Sequence, residues 1–249
     1  MYKRSDMLEL NSVNHGDCLE RMNCIPDESI DMILCDLPYG VTSRCKWDVV
    51  LPFDKLWEQY NRIIKPNGCI ALTATQPFSS VMVMSNPKMF RYDIIWEKTM
   101  AVGFLNAKRM PLRAHEIVNI FYKKLPTYNP QYTYGKAYNR VGGIVESKGV
   151  YNEIGFERNT RNKTTRNPRS VVKISNPNHG SLHPTQKPVE LFEYLIKTYT
   201  DEWDLVLDNA AGSGTTAIAA INTNRNYILI EKEEEYVKIA KERINNVGI

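Results

Sequence analysis

Ile33-Leu34-Cys35-Asp36-Leu37-Pro38-Tyr39-Gly40 is the stretch of this chain that carries the most chemistry. An apolar run from Ile30 to Cys35 reads as a buried strand, and it stops at an acid, a proline, an aromatic ring and a glycine. Such a strand delivers a carboxylate and a ring to its C-terminal end, the edge at which open α/β sheets bind ligands. The chemistry this corner suits is methyl transfer to an exocyclic amino nitrogen of a nucleobase. That nitrogen is a poor nucleophile because its lone pair is delocalised into the ring, so acceptors must hold it in the tetrahedral, reactive geometry. Asp36 can accept one N–H and the Leu37 carbonyl the other. Pro38, with a fixed φ and no N–H, suits holding that carbonyl outward, while Tyr39 offers a flat face on which an extruded base can stack. Positioning and electrostatics suffice, with no covalent intermediate. The same residues also make an ordinary turn at the end of a strand.

A second constellation lies far along the chain. A strand (Leu205 to Leu207) runs into Asp208-Asn209-Ala210-Ala211-Gly212-Ser213-Gly214-Thr215-Thr216, then a small-residue helix through Ala220, then a strand (Tyr227 to Ile230) ending at Glu231. Gly212-x-Gly214-x-x-Ala217 fits the general dinucleotide pattern, with Glu231 placed for ribose hydroxyls. Alone it allows an NAD-dependent dehydrogenase. Asp208 argues otherwise: a pyrophosphate site has glycine directly at the turn, whereas a carboxylate there suits the cationic amino-acid part of S-adenosylmethionine. A dehydrogenase also has no use for the Asp36–Tyr39 corner.

The elements that must position these residues follow from periodicity and punctuation. Glu9 to Asn14 reads as a strand, and Gly16-Asp17-Cys18 leads into a helical stretch with Leu19 and Met22, so Asp17 either caps that helix or meets a ligand's adenine amino group. Leu51 to Lys65 has Leu56, Trp57, Tyr60 and Ile63 at helical spacing, and Pro66-Asn67-Gly68 stops it before a strand, Cys69 to Thr73. Gln76 to Met84 reads as a helix and Tyr92 to Trp96 as a strand. His115 to Tyr122 is its hairpin partner across a loop with Lys108, Arg109 and Arg113. His183-Pro184-Thr185-Gln186-Lys187-Pro188 precedes a helix carrying Val189, Phe192, Ile196 and Tyr199. The last helix has Glu233, Glu234 and Glu235 in its first turn and Lys241 and Arg243 in its last, matching the helix dipole.

The chain has 249 residues, 43% hydrophobic and 24% charged, enough for one sizeable α/β core with an inserted region. No apolar run approaches the ~20 residues of a membrane span and the first ten residues are polar, so a cytoplasmic protein is expected. Five cysteines without C-x-x-C spacing argue against disulfides and a structural zinc, and no metal is expected. The net charge is +4, but Lys98 to Lys187 alone sums to +12, which leaves −8 for the rest. Within that segment, Lys123 to Leu182 lacks periodicity and interleaves tyrosines and asparagines with Arg140, Arg158, Arg161, Arg166 and Arg169. This pattern suits contact with a nucleic acid, the alternative being a solvated loop. The expected organisation is 1–122 as the catalytic half, 123–182 as a target-recognition insertion and 183–249 as the cofactor half.

With a catalytic motif first, a recognition region next and a cofactor loop last, the chain resembles the β-class amino-methylating DNA methyltransferases, adenine-specific enzymes with an Asp-Pro-Pro-Tyr motif. Asp36 to Tyr39 and Asp208 to Thr216 match its two signature loops, and His183 to Pro188 the segment preceding the cofactor half. The resemblance implies a Rossmann-like S-adenosylmethionine-dependent fold, with a mostly parallel sheet and helices on both faces. It implies methyl transfer to the 6-amino group of adenine in double-stranded DNA by base flipping, with Asp36, Leu37, Pro38 and Tyr39 handling the base. Asp17, with Cys18 beside it, then meets the cofactor's adenine and Glu231 its ribose. Asp208, Ala210, Gly212, Ser213, Gly214 and Thr215 line the methionine side, and His183, Thr185 and Lys187 lie near its carboxylate. Lys108, Arg109, Arg113 and the insertion's arginines meet DNA. Aspartate rather than serine at Asp36 favours adenine over cytosine. Leu37 departs from the first proline of the motif, and Asn209 and Ala210 replace a Pro-Phe pair. The same chemistry on cytosine's 4-amino group, RNA or a protein amide stays open, as does a DNA-binding relative without activity. The family also allows a homodimer and a companion restriction endonuclease.

Overall fold

The computed structural model describes residues 8–40, 50–140, 160–176 and 186–247. His183, Thr185 and Arg158 therefore lie outside the described residues. The chain divides into two units, residues 1–129 with 170–249, and Pro130–Arg169.

The first unit is built on an eight-stranded sheet. Its strands are β1 (Ser12–His15), β2 (Ile30–Cys35), β3 (Ile64–Ala74), β4 (Phe90–Val102), β5 (Arg113–Phe121), β8 (Val171–Ile174), β9 (Leu205–Asp208) and β10 (Asn226–Glu231), in the order β1-β10-β9-β2-β3-β5-β4-β8. The first five of that order run parallel, β5 lies antiparallel between β3 and β4, and β8 joins the edge parallel to β4. The hairpin of β4 and β5 is the one the sequence indicates, although β4 extends well past Trp96.

Alternation assigns the two faces. On β2, Met32 and Leu34 point into one core with Leu191, Phe192, Leu195 and Ile196 of α4 (Val189–Tyr199), alanines of α5 (Thr215–Asn222) and Val237 of α6 (Glu234–Val247). Ile33 and Cys35 point into the other, with Cys18 of α1 (Cys18–Arg21), Leu56, Trp57 and Tyr60 of α2 (Phe53–Ile63), and Phe78 and Met82 of α3 (Phe78–Ser85). A strand buried on both faces has to be apolar throughout, which is why the sheet's centre reads as unbroken apolar runs. Each such side chain contributes about 1.5–3 kcal/mol of burial.

Pro66-Asn67-Gly68 does not separate helix from strand. β3 begins at Ile64, immediately after α2, and the register with β2 jumps from Ile30↔Ile64 to Met32↔Cys69, so these residues bulge out of the ladder. Gly68 is needed there: a Cβ would stand 2.8 Å from the Asp31 carbonyl. α6 continues to Val247, so Lys241 and Arg243 do not occupy its last turn. Among the described residues no helix is long and apolar enough to cross a membrane.

The second unit holds an antiparallel pair, β6 (Thr133–Arg140) and β7 (Thr160–Arg166). Neither strand alternates polar with apolar residues, which hid them in the sequence. Arg166 stabilises the pair: its guanidinium lies 4.2 Å over the Tyr138 ring and donates to the Lys136 carbonyl at 2.7 Å. Val171–Ile174, also within the stretch read as insertion, belongs to the main sheet, with the Trp96 indole N–H donating to the Ile174 carbonyl at 2.9 Å.

Candidate active site

β2 and β9 are parallel neighbours, paired at Met32↔Val206 and Ile33↔Leu207. From β2 the chain goes through α2 to β3 on one side, and from β9 through α5 to β10 on the other. Where adjacent strands lead away in opposite directions, the loops part and leave a crevice at the carboxyl ends, the place where open α/β sheets take ligands. Asp36 follows the end of β2 and Asp208 ends β9, so the fold brings both sequence motifs to this crevice.

Asp36 is held from three directions. Its Oδ1 accepts from the Tyr39 hydroxyl at 2.5 Å and from the Thr73 hydroxyl of β3, and its Oδ2 accepts from Lys187 Nζ at 2.6 Å. Lys187 Nζ also lies 3.2 Å from Glu116 Oε2, and Lys98 Nζ lies 2.5 Å from Glu116 Oε1. Asp36, Lys187, Glu116 and Lys98 thus form a run of alternating charge that sums to zero. Burial opposes the charge on Lys187, but Asp36 and Glu116 outweigh it and raise its pKa. Burial alone would raise Glu116; Lys187 and Lys98 overcome it and hold the carboxyl below its ordinary value. A buried ionic run of this kind adds little net stability over an apolar core, but it fixes where each charge sits.

Tyr39 packs against Phe78 with ring centroids 5.0 Å apart, and the Lys187 ammonium stands 5.7 Å from its ring. Burial and the neighbouring Asp36 push its hydroxyl well above the ordinary range, so it remains a donor to Asp36. The ring expected to lie open for a base is therefore half-buried, with its hydroxyl bound to the carboxylate. The Leu37 side chain is buried in the core beside α2, which fits a position whose contribution to chemistry is its carbonyl.

On the β9 side, Asp208 is buried beneath the glycine loop. It accepts from the Ala210 N–H at 3.1 Å and from the Thr216 hydroxyl. Burial raises its carboxyl to about 6 against the partly offsetting donors, Thr216, Ala210 and Cys35. Gly214 has φ +79 and a Cβ there would meet Ala240 of α6 at 3.0 Å, so this turn admits glycine alone. Glu231 closes the loop from β10, accepting from the Gly212 N–H at 2.7 Å and the Glu233 N–H at 2.8 Å. Burial raises its pKa as well. Asn209 is buried with its Oδ1 accepting from the Tyr60 hydroxyl at 2.6 Å. Its amide nitrogen has only the Cys18 sulfur, a weak acceptor, against it.

The raised Asp208 gives a stability test. An acid with a folded pKa of about 6 and an ordinary value of 3.8 binds its proton more tightly when folded, so its ionisation destabilises the fold progressively from about pH 4 to above pH 6. Asp208→Asn removes that component. In urea unfolding across pH 4 to 7, the wild type is expected to lose about 2 kcal/mol relative to the variant as pH rises. Parallel pH profiles would contradict this.

The remaining residues of the site and its surroundings have these partners. Lys187, expected at the cofactor's carboxylate, is the ion-pair partner of Asp36, while its neighbour Gln186 reaches Ser213 of the glycine loop at 3.5 Å. Asp17 caps α1 through Oδ1, accepting from the Leu19 N–H at 3.0 Å, and its Oδ2 faces Lys232 at 3.4 Å. Arg243 donates to the Ser213 carbonyl at 2.6 Å and hydroxyl at 2.9 Å, bracing the glycine loop from α6. Lys108, Arg109, Arg113 and Arg169 are exposed, whereas Arg166 is engaged within its own strand pair. Arg140 and Arg161 lie on β6 and β7. Thr73, Lys98 and Glu116 were not identified from the sequence. The usable signal was a lysine and a glutamate on strands otherwise bound for a core.

The sequence profile of the family described as DNA methylase matches residues 30–242. The type II methyltransferase M.HinfI of Haemophilus influenzae is 28% identical over 96% of this chain and 69% of its own length. M2.MboI of Moraxella bovis, another type II methyltransferase, is 27% identical over 99% and 91%. Among solved structures, M1.HpyAVI in complex with SAM matches with a TM-score of 0.63 at 24% identity, covering 93% of this chain and 98% of that one. The cytosine-N4-specific PvuII DNA methyltransferase matches at 0.65 and 18% identity, covering 97% and 92%. The folds are shared.

Proposed function

We propose, from the premise that the chain belongs to the DNA methylase family of N6/N4 type, that it transfers the methyl group of S-adenosylmethionine to the 6-amino group of adenine within a fixed sequence of duplex DNA. The observation that carries this reading is the pairing of β2 with β9, which puts an acceptor-rich corner and a glycine loop at one crevice. The residues present fit the cofactor. The glycine loop leads into the N-terminus of α5, which suits a carboxylate. On one side of Gly212 there is room, since a Cβ there would meet no atom of the described residues within 4 Å. The buried Asn209 amide nitrogen stands in want of a better acceptor. Glu231 keeps free lone pairs for ribose hydroxyls beyond its two backbone donors.

When bound, the cofactor supplies an electrophilic methyl group. The chain's part is to hold the nucleophile. Asp36 accepts one N–H of the extruded base's amino group, taking the place of the Tyr39 or Thr73 hydroxyl at Oδ1, while Lys187 keeps Oδ2 fixed. The Leu37 carbonyl accepts the other N–H, which turns the lone pair toward the donor methyl. Release of the Tyr39 hydroxyl frees its ring to pack on the base. The aspartate at position 36 supports adenine over cytosine. Digestion of the methylated DNA to nucleosides is the test: N6-methyladenine is expected, and N4-methylcytosine in its place would assign the other amino group.

A further inference from the structure

The segment joining β4 to β5 is a wound turn that shows apolar side chains to solvent. Gly103, at φ +91, starts it. The Asn106 N–H donates to the Gly103 carbonyl at 2.9 Å, and the Arg109 and Met110 N–H groups donate to the Asn106 carbonyl at 2.8 and 3.0 Å. Its entrance is pinned by Asn176, which accepts from the Met100 N–H and donates to the Met100 carbonyl, each at 3.1 Å. A Cβ at Gly103 would meet no atom of the described residues within 4 Å. On this frame Phe104 is 76%, Leu105 84% and Met110 57% exposed. Such side chains forgo the burial that stabilises their counterparts in the core, and a folded single chain gains nothing from displaying them on ordered backbone.

Charge and place identify what the turn meets. No acid occurs between Glu97 and Glu116, while Lys108, Arg109 and Arg113 are exposed. At its foot stand Lys98 and Glu116, members of the charge run that ends at Asp36. The register pair Val102↔Arg113 lies four residues beyond Lys98, past an irregularity in the ladder that follows Glu97. β3 ends at Ala74, paired with Ile117, and the β4–β5 ladder runs on past it to Val102↔Arg113, so the turn stands beyond the carboxyl edge of the sheet, the edge that also carries Asp36.

We infer that Phe104 and Leu105 form a wedge that enters the duplex where the base leaves, filling its place in the stack, while Lys108, Arg109 and Arg113 contact the flanking phosphates. This rests on the DNA-methylation reading. Extruding a paired base costs its pairing and stacking, and an apolar side chain occupying the gap offsets part of that cost. The wedge matters when the target is paired and much less when it is already unpaired.

The test compares two duplexes carrying the site that the wild type methylates, one with the target paired and one with it mismatched. Phe104→Ala/Leu105→Ala is expected to slow single-turnover methylation of the paired duplex roughly ten- to a hundred-fold. On the mismatched duplex the double variant is expected to come within about three-fold of wild type. Fluorescence of 2-aminopurine at the target should fall in the same way on the paired duplex. Equal loss on both duplexes, or no loss on either, would overturn the wedge. A changed sedimentation coefficient for the variant would overturn it too, assigning the turn to a second copy of the chain. A wild type that places no label in unmethylated genomic DNA, so that no site can be built into the duplexes, would remove the DNA-methylation reading, and the wedge with it.

Discussion

Asp36→Ala is expected to slow methyl transfer by about 10²–10³-fold, the scale on which loss of one positioned electrostatic group acts, while leaving cofactor and DNA affinity within a few-fold of wild type. The carboxylate is the only charged group of the Asp36–Tyr39 corner, and its oxygens are fixed by Tyr39, Thr73 and Lys187 rather than by the glycine loop. Its removal takes away the acceptor for the base amino group and leaves Asp208, Glu231 and the loop intact. Asp36→Asn separates shape from charge. The amide retains one acceptor but must turn an N–H toward either Lys187 or the two hydroxyls, so its rate should fall nearly as far. Single-turnover rates alongside equilibrium binding of labelled cofactor and of DNA make the comparison. Loss of cofactor binding in parallel with rate would place Asp36 in the cofactor site instead.

Lys187→Met is expected to be strongly destabilising. It leaves the Asp36 and Glu116 carboxylates with Lys98 as their remaining cation. Removing one partner of a buried pair typically costs 3–5 kcal/mol, and here about 2–4 kcal/mol, because Asp36 keeps some contact with water. The charge run gives a sharper signature than the size of the loss. Lys187→Met shifts its sum to −1, and adding Glu116→Gln returns it to zero. The double variant should therefore be more stable than the sum of the two single losses by about 1 kcal/mol or more. Urea unfolding of the four proteins closes this cycle. Additive losses would show that Lys187 and Glu116 do not act on one another. Methyl transfer should fall with Lys187→Met even at temperatures where the variant is fully folded, since Oδ2 of Asp36 loses its anchor.

The two strand-end motifs were legible because their signals are local. An apolar run that stops at Asp36 or Asp208 and is followed by proline or glycine announces a strand and what it presents. The burial of these strands was equally legible, as β2 is apolar from Met32 to Cys35 and β9 from Leu205 to Leu207. What holds Asp36 was not legible. Thr73, Lys98, Glu116 and Lys187 belong to four separate segments: the pairing of β3, β5 and β4 brings the first three together, and Lys187 reaches them from the segment before α4. Lys98 and Glu116 look like the solvated ends of strands until that pairing buries them. Arg166 and Arg243 show a use of arginine that the sequence did not announce. Both read as surface charge, one for DNA and one for the dipole of α6, yet each donates to a backbone carbonyl in its own unit. Arginine's five donors and long stem make it as useful for bracing loops as for binding phosphate, and sequence does not distinguish the two uses. The strands β6 and β7 escaped notice because neither carries an apolar face.

The measurement that bears most directly on methyl transfer at this crevice is incorporation of labelled methyl from S-adenosylmethionine into unmethylated genomic DNA, followed by mapping of the modified bases. Label on adenine within one short sequence is expected for the wild type, entering about 10²–10³-fold more slowly for Asp36→Ala. Tight binding of both DNA and cofactor, with no label entering DNA at saturating cofactor, would contradict the assignment and leave a DNA-binding relative of the family.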